Sequence, residues 1–452
     1  MCVSALAAFP LPAQETETLP GAELYLDFSS GVEISDNYER LENPTDTSFA
    51  LLNSVALTFD SVTRSQRFTA SAGFTFEAGS FPDDPDGDGR DIDNPFVDIA
   101  YTLQNRDTLL SFSGRYAERE NGFDEQEIVD ADDIVVDQGT RSDLTLAANL
   151  VLGRTAPLSF SSDLFYRDTQ YFDTEDPTLS DEIFYSTTNT LTFNLSRTTS
   201  VFVTASYFER DEDDSTETFE TNAATRMGVS FENASGLTAS FSAGYSVNEV
   251  ERTVDGDTET TREDRPVAAL SFSQARPNGT IDAGLDQVVN EEGRRTSVDF
   301  GRSLELPRGS LSMSLGITTA DYDDSVRGIG SLEYEHFLPR GTLNLSFSQR
   351  VVDDSDDEED TLITTAGLSW TRPLTSVSSF GLDINLSATE AVDADEADRQ
   401  RASLTLNYNH ALTEDWNLNT GYRHSTFRES GEGPIIENAV FAFIERRFDI
   451  RP

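Results

Sequence analysis

Apolar and polar residues alternate with a period of two along almost the whole chain, from Ala22 to its end. Between Phe68 and Phe76, for example, Phe or Ala takes every second place, and Thr, Ser or Gly takes the places between. Successive side chains of a β-strand point to opposite faces, so this period predicts strands with one apolar and one polar face. No helical period competes over a comparable length.

The alternating segments are about ten residues long, and we count about 22 of them, with roughly 20 to 24 as the range. Glycine, proline, asparagine and aspartate separate them, and these residues favour turns. The segments are centred near Leu26, Leu57, Ala72, Ile99, Phe112, Leu146, Leu164, Phe193, Val203, Met227, Phe241, Leu270, Ala283, Phe300, Met313, Leu332, Leu345, Ala366, Ile384, Leu406, Leu418 and Ala442.

Short and long connections between these segments alternate. Short turns follow even-numbered segments, at 105–107, 153–157, 196–200, 276–279, 307–309 and 339–341. Long connections rich in Asp and Glu follow odd-numbered segments, at 77–95, 118–139, 168–182, 209–221, 251–264, 352–360 and 389–398. Transmembrane β-barrels have this two-sidedness, with short periplasmic turns, long extracellular loops and an even strand number. A soluble β-sandwich has no reason for it.

Composition excludes a helical membrane protein. The 452 residues include 82 acidic and 32 basic ones, for a formal net charge of −50. All 32 basic residues are arginine. The apolar stretch within residues 1–13 is shorter than the roughly 20 residues that a spanning helix needs. Strands can cross hydrocarbon only when a closed sheet pairs every backbone group. The predicted fold is therefore an all-β, transmembrane, up-and-down antiparallel β-barrel of about 22 strands with long acidic extracellular loops.

Three parts of the chain are predicted. Residues 1–14 contain apolar and cleavage-site regions typical of a signal peptide, with Ala13 near the cut and no basic start, so we predict a signal-peptide remnant. Residues 15–21 form a periplasmic N-terminal segment, and residues 22–452 form a single barrel domain. Cys2 is the only cysteine, which excludes a disulfide within the chain.

The last segment resembles the C-terminal strand by which Gram-negative outer-membrane proteins are recognised for assembly. Val440, Ala442, Ile444 and Phe448 share one phase there, although such strands typically end on the aromatic residue and four residues follow it here. The resemblance implies location in the outer membrane of a Gram-negative bacterium. Its implied partners are the barrel-assembly machinery, outer-membrane lipid and lipopolysaccharide.

The first segment resembles the start of β-barrel porins from exopolysaccharide-associated gene sets, over about the first 75 residues. It has Leu24, Leu26 and Phe28 in one phase, and Ser35-Asp36-Asn37 precedes a long connection. This resemblance implies a porin-like barrel.

If the apolar face contacts lipid, the polar face lines the interior. Charged residues in this phase are Asp27, Asp98, Arg115, Asp143, Asp163, Arg226, Asp282, Asp286, Asp299, Glu333, Glu335, Arg350, Asp383 and Arg423. Few of them are arginines, so the predicted interior is net negative and favours cations, as rings of Asp and Glu do in other pores. The alternative is that small polar residues only hydrate the wall. About 21 residues precede the first segment, too few for the plug of 22-stranded transporters, so we expect an open pore or one closed by its own loops.

Aromatic residues near the segment ends predict girdles at the two membrane surfaces. Soluble β-proteins also contain many aromatic residues, so these positions support a barrel only together with the alternation. They are Tyr101, Tyr116, Tyr166, Tyr207, Tyr245, Trp370, Tyr408, Trp416 and Tyr422.

One acidic connection resembles half of a calcium-binding loop. Asp84, Asp86 and Asp88 are two residues apart before Gly89, a spacing that points alternate carboxylates at one cation. Pro95 occupies the place of the bidentate glutamate, so an EF-hand is not supported. Asp91 and Asp93 supply two further carboxylates, which complete a looser candidate calcium site. The alternative is a solvated acidic loop, and no other cofactor is indicated.

Catalysis is not indicated, because the three histidines, His336, His410 and His424, belong to separate strands and predict no shared site. Nucleic acid is disfavoured as a partner, because the excess negative charge repels phosphate. The sequence therefore predicts a porin-like outer-membrane channel for hydrophilic solutes or ions, with modest cation preference and no enzymatic activity. The alternatives are a structural or adhesive surface barrel with partner- or cation-binding acidic loops, and a barrel associated with polysaccharide export.

Overall fold

A computed structural model describes residues 21–82, 89–120, 139–172, 174, 179–213, 217–254, 257–290, 293–321, 326–353, 360–390, 398–431 and 433–450. The regular secondary structure of these residues is entirely β-strand. Within these ranges no helix has the length and apolar character needed to span a membrane.

The described residues form 22 strands in a single sheet. In chain order they are β1 (Gly21–Ser35), β2 (Ser48–Val62), β3 (Gln66–Ser80), β4 (Arg90–Gln104), β5 (Thr108–Glu120), β6 (Thr140–Leu152), β7 (Leu158–Phe172), β8 (Glu182–Asn194), β9 (Thr199–Glu212), β10 (Thr218–Glu232), β11 (Leu237–Val254), β12 (Asp257–Arg276), β13 (Gly279–Asn290), β14 (Gly293–Leu306), β15 (Gly309–Ala320), β16 (Arg327–Leu338), β17 (Gly341–Asp353), β18 (Asp360–Pro373), β19 (Ser378–Glu390), β20 (Arg399–Ala411), β21 (Trp416–Glu429) and β22 (Ile435–Asp449).

The sheet closes into a barrel. Every strand pairs antiparallel with its neighbours in the sequence, and β1 pairs antiparallel with β22 from Tyr25 opposite Asp449 to Ser35 opposite Ala439. All predicted segment centres fall within the observed strands, one in each. The prediction of a closed, up-and-down antiparallel barrel of about 22 strands is therefore confirmed.

The strands are longer than the predicted ten residues, with lengths from 12 in β13 to 20 in β12. The predicted loop 251–264 is wrong, because residues 251–254 belong to β11 and 257–264 to β12. Backbone pairing continues there beyond the apolar pattern, stabilised by polar cross-strand pairs such as Arg262 Nη1 with Glu249 Oε2 at 2.9 Å. The other connections predicted as long also lose residues to strand ends.

The barrel has an outward apolar face and an interior polar face. The exposed large apolar side chains on the strands lie mostly in one phase, with Leu315 72% exposed, Met227 62% and Val440 56%. In the opposite phase Arg423 on β21 contacts Glu33 on β1, although β22 lies between these strands. Side chains two strands apart can meet only on the concave side of a closed sheet, which identifies this phase as the interior.

The short turns lie at one end of the barrel, as predicted. The ten connections that follow even-numbered strands have two to five residues. Those that follow odd-numbered strands have five to 19, except that the connections after β11 and β13 have only two, so the predicted alternation of short and long connections fails there. Asn105 shows how a side chain fixes such a turn, because its Oδ1 accepts hydrogen bonds from the backbone N–H groups of Asp107 (3.0 Å) and Thr108 (2.8 Å).

Some interior positions hold phenylalanine, and glycine opposite makes room for it. Phe443 on β22 pairs with Gly31 on β1, and a Cβ added at Gly31 would overlap the Phe443 ring. Phe441 has the same relationship with Gly421 on β21. Both rings therefore lie over glycine backbone on the interior wall.

Candidate functional site

All fourteen charged residues predicted to line the interior lie on the interior face. The strand register shows which interior residue each of them faces. Asp98 stands opposite Arg115, Glu335 opposite Asn344, and Asp383 opposite Ser369. These residues are spread around most of the barrel wall. Only those on neighbouring strands come close to each other, so they form small groups rather than one site. The groups differ mainly in whether arginine neutralises the carboxylates.

Near the short-turn end, Asp27 pairs with Arg447, an interior arginine outside the predicted set. Arg447 Nε donates to Asp27 Oδ1 at 2.7 Å, and Arg447 Nη2 donates to Asp27 Oδ2 at 3.1 Å. The Arg447 guanidinium also lies 4.3 Å from the centre of the Tyr25 ring. This bidentate pair joins β22 to β1 at the closing seam, where the Arg447 side chain is 60% exposed.

Asp143 on β6 is a neutralised carboxylate at the opposite end of the wall. Arg119 Nη2 lies 3.0 Å from its Oδ2, Arg141 Nη2 lies 2.9 Å from its Oδ1, and Thr169 Oγ1 donates to Oδ1 at 2.9 Å. Asp143 is 9% exposed, so these contacts replace its hydration.

The neighbouring strands β7 to β9 continue this pairing. Arg167 Nη2 lies 2.6 Å from Glu182 Oε1, and Arg210 Nη1 lies 3.6 Å from Glu212 Oε1. The expectation that few arginines occupy the interior is therefore wrong. The charged ends of these strands lie beyond the regular apolar pattern from which the sequence phases were read.

Arg423 forms a buried cluster with two carboxylates. Its Nη2 lies 2.6 Å from Glu33 Oε1 and 3.2 Å from Glu437 Oε1, and Ser35 Oγ donates to Glu437 Oε1 at 3.1 Å. The side chains of Glu33 and Glu437 are 6% and 3% exposed. The sequence gives no signal for this cluster, because Glu33 and Arg423 are 390 residues apart.

The connection between β1 and β2 packs against β22 and the β21–β22 connection. Asn37, which is 2% exposed, donates from Nδ2 to the carbonyl oxygens of Leu41 (2.8 Å) and Ile436 (3.0 Å). Glu42 Oε1 accepts a hydrogen bond from the Gly433 backbone N–H at 2.8 Å. This connection is therefore attached to the barrel end opposite the short turns.

The far end of β13 leaves the wall and leans inward. Its pairing with β12 stops at Asp286, and Arg226 on β10 then holds it through Asp286 Oδ1 (3.0 Å) and the Gln287 carbonyl oxygen (2.6 Å). Asn222, also on β10, donates to the Val289 carbonyl oxygen at 2.8 Å. These contacts cross two intervening strands, so the β13–β14 hairpin covers part of the interior face.

A polar cleft of about 390 Å³ lies on the interior face of β15 to β19. Glu333, Glu335 and Asp383 supply its carboxylates, and serine and asparagine side chains supply much of the rest. Among the described residues, none donates a hydrogen bond to these three carboxylates and no arginine pairs with them. This cleft therefore brings together three carboxylates that no arginine of the described wall neutralises.

The other predicted interior residues lie on separate strands of the wall. Asn149 Nδ2 donates to Asp163 at 2.5 Å, and Thr280 Oγ1 donates to Asp282 at 2.8 Å. Asp299 on β14 stands opposite Gly284, and Arg350 lies on β17 in the same phase. Each is a position on the wall rather than part of a compact site.

The candidate calcium residues are only partly described. Asp84, Asp86 and Asp88 lie outside the described residues, whereas Asp91 and Asp93 lie at the start of β4, opposite Glu77 and Thr75. Within the described ranges, no group of three or more His, Cys, Asp or Glu side chains could hold a metal ion. Calcium binding in this connection stays a prediction.

The histidines occupy the outward face. His336 stacks on Tyr334 with ring centres 5.8 Å apart, and His410 stacks on Tyr408 at 6.1 Å. His424 Nδ1 lies 2.9 Å from Asn438 Oδ1. The structure therefore brings no two histidines into one site within the part of the chain that it describes.

The architecture is similar to that of several large transporters and receptors of known structure. The FrpB iron transporter from Neisseria meningitidis (F3-3 variant) matches 96% of this chain and 82% of its own, with a TM-score of 0.58 and 9% identity. A mutant ferric enterobactin receptor of Pseudomonas aeruginosa (PfeA), in complex with enterobactin, matches 95% and 82% with a TM-score of 0.54 and 9% identity. The copper transporter OprC matches 95% and 81%, with a TM-score of 0.53 and 12% identity.

No family model and no curated protein matches the chain. At identities of 12% or less, the structural similarity establishes the fold alone. The chain therefore shares the large closed β-barrel fold of these proteins.

Proposed function

We propose that the chain is an outer-membrane channel that passes hydrophilic solutes or ions and prefers cations, without catalytic activity. The outward apolar face would contact lipid, because hydrocarbon accepts only a sheet whose edges are closed. The fold shared with large transporters and receptors supports a transport role. The fourteen charged interior residues would then be pore-lining.

The cleft on β15 to β19 carries the cation preference. Elsewhere on the wall Asp27, Asp98 and Asp143 have arginine partners, but Glu333, Glu335 and Asp383 have none among the described residues. Unneutralised carboxylates at a pore wall attract cations and exclude anions.

Planar-bilayer recording tests this proposal. The full chain is expected to give stable current steps. Under a salt gradient, the reversal potential is expected to have the sign that shows cations passing more readily than anions. The triple substitution Glu333→Gln, Glu335→Gln, Asp383→Asn removes three negative charges from the cleft. It is expected to move the reversal potential toward zero.

A matched control removes the same charge from the outward face. Glu118, Asp168 and Glu209 accept hydrogen bonds from Tyr116 (3.1 Å), Tyr166 (3.4 Å) and Tyr207 (2.7 Å) on that face. The control substitutes Gln, Asn and Gln at these three acids, and it should leave the reversal potential unchanged. Equal effects of the two triple variants would contradict a selective cleft.

A surface barrel with a closed interior is the second candidate, and the inward β13–β14 hairpin favours it. Arg226 and Asn222 hold this hairpin over the interior face. A correctly folded barrel that stays electrically silent in the bilayer would support this role over the channel.

A further inference from the structure

The short turns are rich in arginine, in a chain that is otherwise acidic. Six of the ten turns contain one, namely Arg64, Arg106, Arg154, Arg197, Arg308 and Arg340. Two further arginines, Arg276 and Arg372, lie within the last two residues of the strands before two other turns. The connections at the opposite end contain a single arginine, Arg40, and most of their charged residues are Asp or Glu. We call these eight arginines the turn ring.

The turn ring is not part of the internal ion-pair network. Its eight side chains are exposed, and within the described part of the chain none makes a hydrogen bond, an ion pair or a ring contact. Most arginines on the strands do have partners, as Arg447 and Arg423 show. Folding therefore does not account for the placement of these eight charges.

Aromatic side chains place the turn ring at the edge of the outward apolar face. Trp370 packs edge-on against Phe380 with ring centres 6.0 Å apart, and it precedes Arg372 by two residues. Trp416 packs against Phe448 at 6.5 Å on the same edge. Tryptophan and tyrosine collect at the boundary between hydrocarbon and headgroups, so the arginines beyond them would reach the headgroup layer.

We propose that the turn ring binds the phosphate groups of anionic phospholipids in the leaflet at the short-turn end. The guanidinium group is planar and hydrogen-bonds two phosphate oxygens at once, and its long stem can lie along apolar surface while the charge reaches the headgroup. This inference rests on the proposed membrane location but requires no channel activity.

The distribution of the ring favours lipid over a protein partner. The eight arginines belong to the turns after β2, β4, β6, β8, β12, β14, β16 and β18. They therefore surround most of the barrel, as a lipid annulus does. A single docked protein would contact one sector and would leave the positions in the other sectors unused.

The test compares the full chain in phosphatidylcholine vesicles with the chain in vesicles that also contain phosphatidylglycerol. Flotation first establishes insertion into phosphatidylcholine alone. Native mass spectrometry then counts the phosphatidylglycerol molecules retained by the wild type and by a double variant, Arg197→Gln with Arg340→Gln. We expect the variant to retain fewer, and its midpoint of thermal unfolding to rise less when phosphatidylglycerol is present.

Arg90 and Arg428 provide the control, because they are exposed, have no partner among the described residues and lie at the opposite end. Arg90→Gln with Arg428→Gln changes the net charge equally and should retain wild-type amounts of phosphatidylglycerol. Equal retention by all three proteins would overturn the inference. The inference would also be overturned if soluble dextran sulfate stabilised the wild type in phosphatidylcholine vesicles but not the Arg197→Gln, Arg340→Gln variant. That result would indicate that the turn ring binds a soluble polyanion. Failure of insertion at the flotation step would instead contradict the membrane location.

Discussion

Arg423 on β21 reaches across β22 to Glu33 on β1, and its Nη2 atom lies 2.6 Å from Glu33 Oε1. The contact spans the strand that closes the barrel, and Glu437 on β22 shares the same guanidinium at 3.2 Å. First and last strands are thereby joined by a side-chain cluster in addition to their backbone ladder. Because both carboxylates are nearly buried, the arginine compensates their loss of hydration.

Arg423→Met should destabilise the barrel by about 3 kcal/mol, because it leaves two buried carboxylates without a counter-ion. Denaturant unfolding of the refolded chain in lipid vesicles measures the change. Adding Glu33→Gln and Glu437→Gln should restore part of the loss. The control is Arg67→Met, which breaks the ion pair between Arg67 and Asp60. Because the Arg67 side chain is 64% exposed, this change should lower the free energy of unfolding by less than about 1 kcal/mol. Equal losses for Arg423→Met and Arg67→Met would contradict the seam cluster.

Arg226→Gln should release the inward β13–β14 hairpin. Without the guanidinium, both the Asp286 contact and the Gln287 carbonyl contact are lost. Amide hydrogen exchange in residues 287–290 and 293–296 should therefore become faster, because these backbone groups become more accessible to water. Arg115→Gln is the control, since Arg115 pairs with Asp98 on the adjacent strand. Unchanged exchange in Arg226→Gln would show that the hairpin is held by other contacts.

Gly31→Val should destabilise the barrel by roughly 1–3 kcal/mol, because the new side chain would overlap the Phe443 ring. The matched change Gly328→Val adds the same atoms where the nearest neighbour of a new Cβ is Gln349 Nε2 at 3.8 Å. Unfolding in vesicles should show a clear difference between the two variants. If they were equally stable, the packing of Phe443 over glycine would not contribute as described.

Replacing residues 253–258 with Asn-Gly should change the free energy of unfolding by less than about 1 kcal/mol. Thr253 pairs with Thr258 and Val254 with Asp257, so the described residues of this tip of the β11–β12 hairpin pair only with each other. β10 pairs with β11 only as far as Glu251. A loss of several kcal/mol, or a failure to fold, would mean that the tip contacts the barrel.

The strands were predictable because outward apolar residues and interior polar residues alternate, and alternation is a local property of the sequence. Leu345, for example, shares its outward phase with Tyr334 and Leu368, the residues directly opposite it on β16 and β18. The interior position of Glu333 and Asp383 follows from the same rule. A sequence therefore specifies which face a residue occupies before any pairing is known.

The partners of interior charges were not predictable, because register decides which residues meet. Arg447 stands opposite Asp27 only because β22 closes against β1, and Arg226 reaches Asp286 only because β13 leans inward. Neither relationship leaves a local pattern. For the same reason the length of β11 and β12 was missed, since paired polar residues such as Glu249 and Arg262 resemble a loop in composition.

The central claim is that one face of these strands contacts hydrocarbon and the other contacts water. Spin labels at successive positions of β17, from Leu343 to Ser348 in a Cys2→Ser background, test it in vesicles by collision with oxygen and with a water-soluble nickel complex. Leu343, Leu345 and Phe347 should be accessible to oxygen, and Asn344, Ser346 and Ser348 to nickel. Accessibility without a two-residue period, or nickel access at all six positions, would contradict the account.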